Sequence, residues 1–212
     1  GDFVKLQGTA QLTGGIDPSG KTTLVGTYEV EKGAYEMSLS MLRRKFEIQK
    51  GSMITWNGEP TDAKLDITAI YRTDAAPLDL VQQQITGSAA EINQYKQRIP
   101  FNTLLKMTGE LLKPVITFDI TMDESNPGVA TSVVDNTKAK LDQIRNEPSE
   151  MNKQVFALLA LGRFVGENPF ESQTGLSAEA LARQSVSRLL SQTLNDLAGD
   201  LIAGVDMDFD LQ

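Results

Sequence analysis

The sequence contains no cysteine and no histidine. Disulfides, thiolate nucleophiles, Cys/His metal sites and imidazole general bases are therefore excluded from this chain. It also lacks any run of about 18 apolar residues, the length that a membrane-spanning helix needs. The net charge of −8 does not provide the basic surface of a general nucleic-acid binder. The residues that remain form no recognisable catalytic motif, so we expect neither an enzyme nor a cofactor or metal site.

Apolar and polar residues alternate in a series of short segments between residues 24 and 71. A period of two places alternate side chains on opposite faces of a strand. Turn residues separate the segments at 31–33, 50–51 and 57–60. The pattern predicts an antiparallel meander with one apolar face and one solvated face.

The rest of the chain follows the same plan and then changes period. Two strands are predicted within 3–30, and others near 99–107 and 116–122, with a connection at 72–98 that has a short helix at 77–86. From about Val133 the apolar period becomes 3.6. It predicts a helix that ends before Pro148, a second with Ser149 as N-cap that ends near Gly166, and a longer one after Ser177.

These elements predict a mainly β fold with C-terminal α-helices: a curved antiparallel sheet with one apolar face, plus two or three amphipathic helices. The predicted domains are a sheet at 1–130, a helical segment at 131–204 that caps or fills it, and the start of a further strand at 205–212. A strand at each end of the chain indicates a sheet that continues beyond both.

One motif suggests a nucleotide site. Gly15 to Thr22 matches the phosphate-binding loop pattern GxxxxGK[ST], with Lys21 as its lysine. That site needs a helix that begins at the Gly-Lys-Thr, whereas the segment after Thr22 is rich in β-branched residues and alternates. We therefore interpret Gly15, Lys21 and Thr22 as part of a hairpin loop and expect no nucleotide site.

Two charged segments allow similar alternatives. The basic run 43–45 could meet lipid phosphates, but we interpret it as a solvated turn between strands. Asp206, Asp208 and Asp210 could bind Ca²⁺, but a solvated strand face is the preferred interpretation, because the glycine and loop of a calcium site are missing.

The order and spacing of glycines and aromatics resemble a known family, the C-terminal domain of TamB, a translocation and assembly module subunit of the AsmA-like superfamily. The matching segments are Gly26-x-Tyr28, Lys32-Gly33-x-Tyr35, Phe46-x-Ile48, Ile54-x-Trp56-x-Gly58-x-Pro60, Leu65-Asp66-Ile67-x-Ala69 and Gly109-x-Leu111-x-x-Pro114-x-Ile116-x-Phe118. The Leu-Gly-Arg-Phe at 161–164 and the Gln-rich connection at 82–97 are most similar to the Bacteroidota branch.

The resemblance implies a periplasmic domain of an inner-membrane-anchored protein, near the outer membrane. It implies a taco-shaped sheet (a β-taco) with an apolar inside for phospholipid transport, outer-membrane protein assembly, or both. The implied partners are phospholipid acyl chains, an outer-membrane barrel protein of the TamA type and neighbouring β-segments of the same full-length chain. The alternative is an assembly factor that donates a β-strand to barrel proteins without conducting lipid.

An acyl chain needs only apolar walls, which agrees with an apolar face that has no catalytic group. The predicted groove lining is Tyr28, Val30, Tyr35, Met37, Leu39, Phe46, Ile48, Ile54, Trp56, Leu65, Ile67, Ile116, Phe118 and Ile120. The C-terminal helices could instead close this face and make a compact α+β core.

Overall fold

The computed structural model describes residues 3–39, 42–123 and 125–166, without the side chains of 3, 37–39 and 42. The elements in this part are β1 Phe3–Ile16, β2 Thr22–Leu39, β3 Leu42–Ile48, β4 Met53–Gly58, β5 Ala63–Ala75, α1 Leu78–Val81, α2 Ala89–Gln94, β6 Ile99–Glu110, β7 Lys113–Met122, α3 Thr131–Arg145 and α4 Pro148–Leu161. The predicted fold class, a mainly antiparallel sheet with C-terminal helices, is confirmed. The helix predicted after Ser177 and the strand at 205–212 with its aspartates lie outside the described residues.

The strands form one sheet in the order β1-β2-β3-β5-β6-β7, with β4 paired to β2 and β5. Both β3 and β4 run antiparallel to β2 on one side and to β5 on the other. They therefore occupy a single strand position, end to end. Apart from β3 and β4, strands that are consecutive in the chain are neighbours in the sheet, as the predicted meander requires.

The turn predicted at residues 50–51 is present, because the N–H of Ser52 donates to the carbonyl of Gln49 at 3.1 Å. The reversal of the chain that a meander requires there is wrong, because β3 and β4 both pair with β2. The backbone N–H of Val30 donates to the carbonyl of Ser52 at 2.8 Å, and the N–H of Gly51 donates to the carbonyl of Val30 at 2.9 Å. These bonds keep the segment between β3 and β4 attached to β2. It is an irregularity within one strand position and not a connection between two.

The turn predicted at residues 31–33 is also wrong. Strand β2 continues through it, and its register with β1 moves from Gly8 opposite Val30 to Gln7 opposite Lys32. Glu31 is thus the extra residue of a β-bulge. One extra residue exchanges the two faces of a strand, and this explains why Val30 and Tyr35 are both buried although one number is even and the other odd.

The basic run 43–45 lies within strand β3, so its interpretation as a turn is wrong. The strand places successive side chains on opposite faces. Arg43 and Lys45 are exposed, whereas Arg44 is half-buried and shares the parity of Phe46 and Ile48. The run is therefore divided between the two faces of the sheet.

Residues 72–98 contain two short helices after the end of β5. Helix α1 falls within the helix predicted at 77–86. Helix α2 begins with a capping box, in which the hydroxyl of Ser88 accepts from the N–H of Glu91 and the Glu91 carboxylate accepts from the N–H of Ser88. Hydrogen bonds from the backbone N–H and then the hydroxyl of Ser88 lower the pKa of Glu91.

Two longer helices follow the sheet. Helix α3 packs against both α1 and α4. The N-cap of α4 is Glu147, with Pro148 in the first turn, so the prediction that Ser149 is the cap is wrong. Proline suits the first helical position because it has no N–H to satisfy there. The helix ends at Leu161 with Gly162 in the left-handed conformation at φ +66°, four residues before the predicted Gly166.

The chain divides into two compact units. Among the described residues, the first contains the chain up to Tyr71 together with Leu105–Thr117, and its largest buried side chains are Trp56, Tyr35 and Phe46. The second contains Arg72–Leu104 and, among the described residues, the chain from 118 to 166. In this unit Phe101 and Phe164 pack edge to face with ring centroids 4.8 Å apart. The predicted division at 1–130, 131–204 and 205–212 stays a prediction.

Candidate functional site

One face of the sheet in the first unit is apolar across its strands. In β5 the burial pattern alternates from Ala63 onward, with Leu65 and Ile67 buried and Asp66 exposed between them. In β4 the buried residues are Ile54 and Trp56. Because alternate side chains of neighbouring strands line the same face, these residues form a continuous surface, which we call the apolar face.

Most of the predicted lining residues are buried. The whole set falls into three groups, according to burial and unit. Those buried in the first unit are Val30, Tyr35, Phe46, Ile48, Ile54, Trp56, Leu65 and Ile67. Tyr28 and Ile116 are half-buried in the same unit, whereas half-buried Phe118 and buried Ile120 belong to the second unit. The side chains of Met37 and Leu39 lie outside the described residues.

A small pocket lies on the apolar face. Its lining consists of Val4, Leu6, Tyr35, Ile48, Ile67, Ala69, Leu105 and Met107. All of these except Val4 and Leu6 are buried, and the space has room for about one water molecule. The Tyr35 hydroxyl is the one polar side-chain group among the lining residues. A ligand larger than water could therefore enter only if the face opened.

Five of these pocket residues are absent from the predicted groove lining: Val4, Leu6, Ala69, Leu105 and Met107. Each lies in a segment that the alternation had marked as a strand. Their convergence depends on strand order, which brings β1 and β6 to the same face as β2, β3 and β5. The alternation along each strand could have suggested these residues, but it could not show which of them line the same pocket.

An aromatic row extends along the same face. The ring centroids of Tyr35 and Phe46 are 6.2 Å apart, and those of Phe46 and Tyr71 are 5.7 Å apart. The guanidinium carbon of Arg44 lies 5.9 Å from the centre of the Tyr71 ring, within cation–π distance. Tyr35 also lines the pocket, so the row connects the pocket to a positive charge.

The hairpin between β1 and β2 contains the residues of the nucleotide-loop match. Strand β1 includes Gly15, and β2 begins at Thr22. The Asp17 carboxylate accepts from the backbone N–H groups of Ser19 at 2.8 Å and Lys21 at 3.0 Å. A strand, rather than the helix that a phosphate-binding loop requires, follows the motif. The hairpin interpretation is confirmed.

The same loop sets the ionisation of its aspartate. Hydrogen bonds to the charged carboxylate favour it over the protonated form. The Ser19 hydroxyl, followed by the N–H of Lys21, lowers the pKa of Asp17 below its usual value. The side chain of Lys21 lies 3.7 Å from that of Glu59 and both are largely exposed. The polar groups of this loop hold the turn together.

The described residues contain neither a membrane-spanning helix nor an acidic metal site. No helix in that part of the chain has both the length and the apolar character to cross a membrane. Across the same residues, no group of three or more acidic side chains is arranged to hold a metal ion. The order of the described strands ends with β1 on one side and β7 on the other.

Comparison with curated proteins and with solved structures found no significant match. The family model of the TamB C-terminal domain matches residues 1–212. TamB proteins form a transport and assembly module of the cell envelope that works with TamA-type partners, and the family is not known as one of enzymes. The chain belongs to the TamB family and carries its C-terminal domain.

Proposed function

We propose that the apolar face binds phospholipid acyl chains and forms part of a route for phospholipid to the outer membrane. In this proposal the chain is the periplasmic part of an inner-membrane-anchored protein and lies near the outer membrane. Its partners are the lipid, a TamA-type barrel and neighbouring β-segments of the full-length chain.

The observation that carries the proposal is the chemistry of the pocket. Eight side chains from five strands converge there, and Tyr35 has the single polar group among them. An acyl chain requires no hydrogen-bonding partner, and each Å² of apolar surface removed from water contributes about 25 cal/mol. The same walls would give a polar substrate only the Tyr35 hydroxyl as a hydrogen-bonding partner.

Binding of a lipid requires the apolar face to open, because the lining residues are buried in this structure. Ile67 is 2% exposed and Val30 is fully buried. An acyl chain can replace the atoms that cover such residues without leaving a buried polar group unpaired. The face is therefore suited to contact an acyl chain.

The first test is native mass spectrometry of the purified chain, followed by lipid extraction. We expect co-purified phospholipid, and we expect Ile67→Arg to lose it because a charge would lie on the apolar face. The matched control is Asn57→Arg, which adds the same charge at an exposed position of β4. A lipid-free wild-type chain would argue against the proposal.

A second test avoids the risk that an internal arginine unfolds the sheet. A photo-crosslinking amino acid replaces Ile67 in one variant and the adjacent Asp66 in another. The two positions are consecutive in β5 but face opposite ways, since Asp66 is exposed and Ile67 buried. Lipid captured from position 67 and not from 66 supports the proposal, and equal capture from both contradicts it.

Strand β1 ends the order of the described strands, and this favours a second candidate function, strand donation to outer-membrane barrel proteins. It is 14 residues long, and strand β2 pairs with one of its sides. An edge strand can extend another sheet through its backbone N–H and C=O groups. The chain has no cysteine, so Lys5→Cys and Gln11→Cys provide unique crosslinking positions in β1. Crosslinks to a barrel from these positions, and none from Asp66→Cys in β5, would favour strand donation.

A further inference from the structure

We infer that Arg44 binds the phosphate group of the lipid whose acyl chains occupy the apolar face. The inference rests on the proposed function and assigns the polar end of the same site. The proposed ligand is a glycerophospholipid, because the aromatic row joins a guanidinium group to an apolar pocket.

Arg44 lies on the apolar face of the sheet. It precedes Phe46 and Ile48 by two and four residues in β3, so all three share one face. Its neighbour Arg43 points to the opposite side, where its guanidinium group lies 3.5 Å from the Glu36 carboxylate. The two arginines are adjacent in sequence but belong to different surfaces.

Two contacts orient the guanidinium group of Arg44. It lies over the ring of Tyr71 at 5.9 Å, and its Nη1 donates to the carbonyl oxygen of Arg43 at 3.0 Å. These contacts orient a planar group that carries five N–H donors. A planar fork of donors matches the oxygens of a phosphate, which it can bind in bidentate fashion.

Arg44 lies at a distance from the pocket that an uncharged apolar surface spans. Ile48 lines the pocket, and four residues of strand separate it from Arg44, or about 13 Å at 3.3 Å per residue. Phe46 and Tyr71 occupy the space between, as apolar surface without formal charge. An apolar surface that ends at a cation is complementary to a molecule with apolar chains and one anionic group.

The test compares two lipids that differ only in the phosphate-bearing group. The purified chain is incubated with vesicles that contain equal amounts of dioleoylphosphatidylglycerol and dioleoylglycerol, and the bound lipids are extracted and quantified. Wild type should retain the phospholipid preferentially. Arg44→Gln should lower the ratio of phospholipid to diacylglycerol by about tenfold, the size of one hydrogen bond to a charged group.

The matched control is Arg43→Gln, which removes the same charge from the opposite side of β3 and should change the ratio by less than about twofold. Circular dichroism and thermal melting show whether each variant is folded. Should Arg44→Gln not fold, Arg44→Lys keeps the charge but loses the planar fork, and it should lower the ratio to an intermediate value.

The outcomes separate the inference from the proposed function. If wild type binds neither lipid, the proposed function fails. If wild type binds both lipids and the Arg44 variants keep the wild-type ratio, the headgroup assignment fails while acyl-chain binding stands. Inorganic phosphate in excess should not displace the phospholipid, because it has no chains. Displacement would show a site for free phosphate and would overturn the assignment.

Discussion

The indole Nε1 of Trp56 donates a hydrogen bond to the carbonyl oxygen of Pro60 at 3.0 Å. Trp56 is 1% exposed and lies next to the end of β4, and Pro60 belongs to the connection that follows. One side chain thus fills the core of the first unit and also fastens the turn between β4 and β5. This explains why a tryptophan, rather than another aromatic residue, occupies the position.

Two substitutions separate these roles of Trp56. Trp56→Phe keeps most of the apolar volume but removes the donor, and we expect a loss of about 1–2 kcal/mol in the free energy of unfolding. Trp56→Ala also leaves a cavity and should cost about 3–5 kcal/mol. Urea denaturation measures both values. Equal losses in the two variants would show that the hydrogen bond, and not the packing, dominates.

Gly26 is required where β2 approaches β1 closely. Its φ is +132°, and a β-carbon there would stand 1.9 Å from the carbonyl oxygen of Gln11. We expect Gly26→Ala to destabilise the chain by about 2–3 kcal/mol, measured by urea denaturation. The control is Gly14→Ala, whose β-carbon would meet the Thr23 carbonyl oxygen at an ordinary 3.8 Å and should cost under about 0.5 kcal/mol. Similar costs at both positions would contradict the role of close approach.

The loop at Asp17 should make a pH-dependent contribution to stability. The folded-state pKa of Asp17 is lowered, chiefly by the Ser19 hydroxyl. The contribution is therefore present above the unfolded pKa, near 4, and is lost as pH falls through the lower folded pKa. Ser19→Ala should raise the pKa of Asp17 towards its usual value. Carboxyl NMR titration measures it, and an unchanged pKa would refute the assigned cause.

Lys21 should have no part in nucleotide binding. A strand rather than a helix begins after the motif, so the backbone N–H groups do not form the cradle of a phosphate-binding loop. We expect isothermal titration calorimetry to detect no ATP binding to the wild type or to Lys21→Ala. Binding by the wild type that Lys21→Ala abolishes would reinstate the nucleotide site.

The amino-acid sequence determined where most of the strands lie and to which face their side chains point. Alternation at Leu65, Asp66 and Ile67 assigns each side chain to a face before any partner strand is known, because the period of two is a local property of the backbone. The same reasoning assigned the Gly15–Thr22 motif to a hairpin, since β-branched residues after Thr22 favour a strand. The resemblance to the TamB family likewise required only the order and spacing of glycines and aromatics.

The tertiary structure decided what the irregular positions do. A short segment with glycine can reverse the chain or insert an extra residue into a continuing strand, and the choice depends on which strand pairs across it. At Glu31 and at Gly51 the neighbouring strand continues, so both became irregularities within strands. The predicted chain reversals failed there because the hydrogen-bonding partner of each segment is distant in sequence.

The candidate site shows the same division. The sequence placed Tyr35, Ile48 and Ile67 on one apolar face, but only strand order brought Leu105 and Met107 to the same pocket. The position of Arg44 over Tyr71 likewise depends on strands that are separate in the chain. Local periodicity determines which way a side chain points, whereas its neighbours depend on long-range pairing that no single segment encodes.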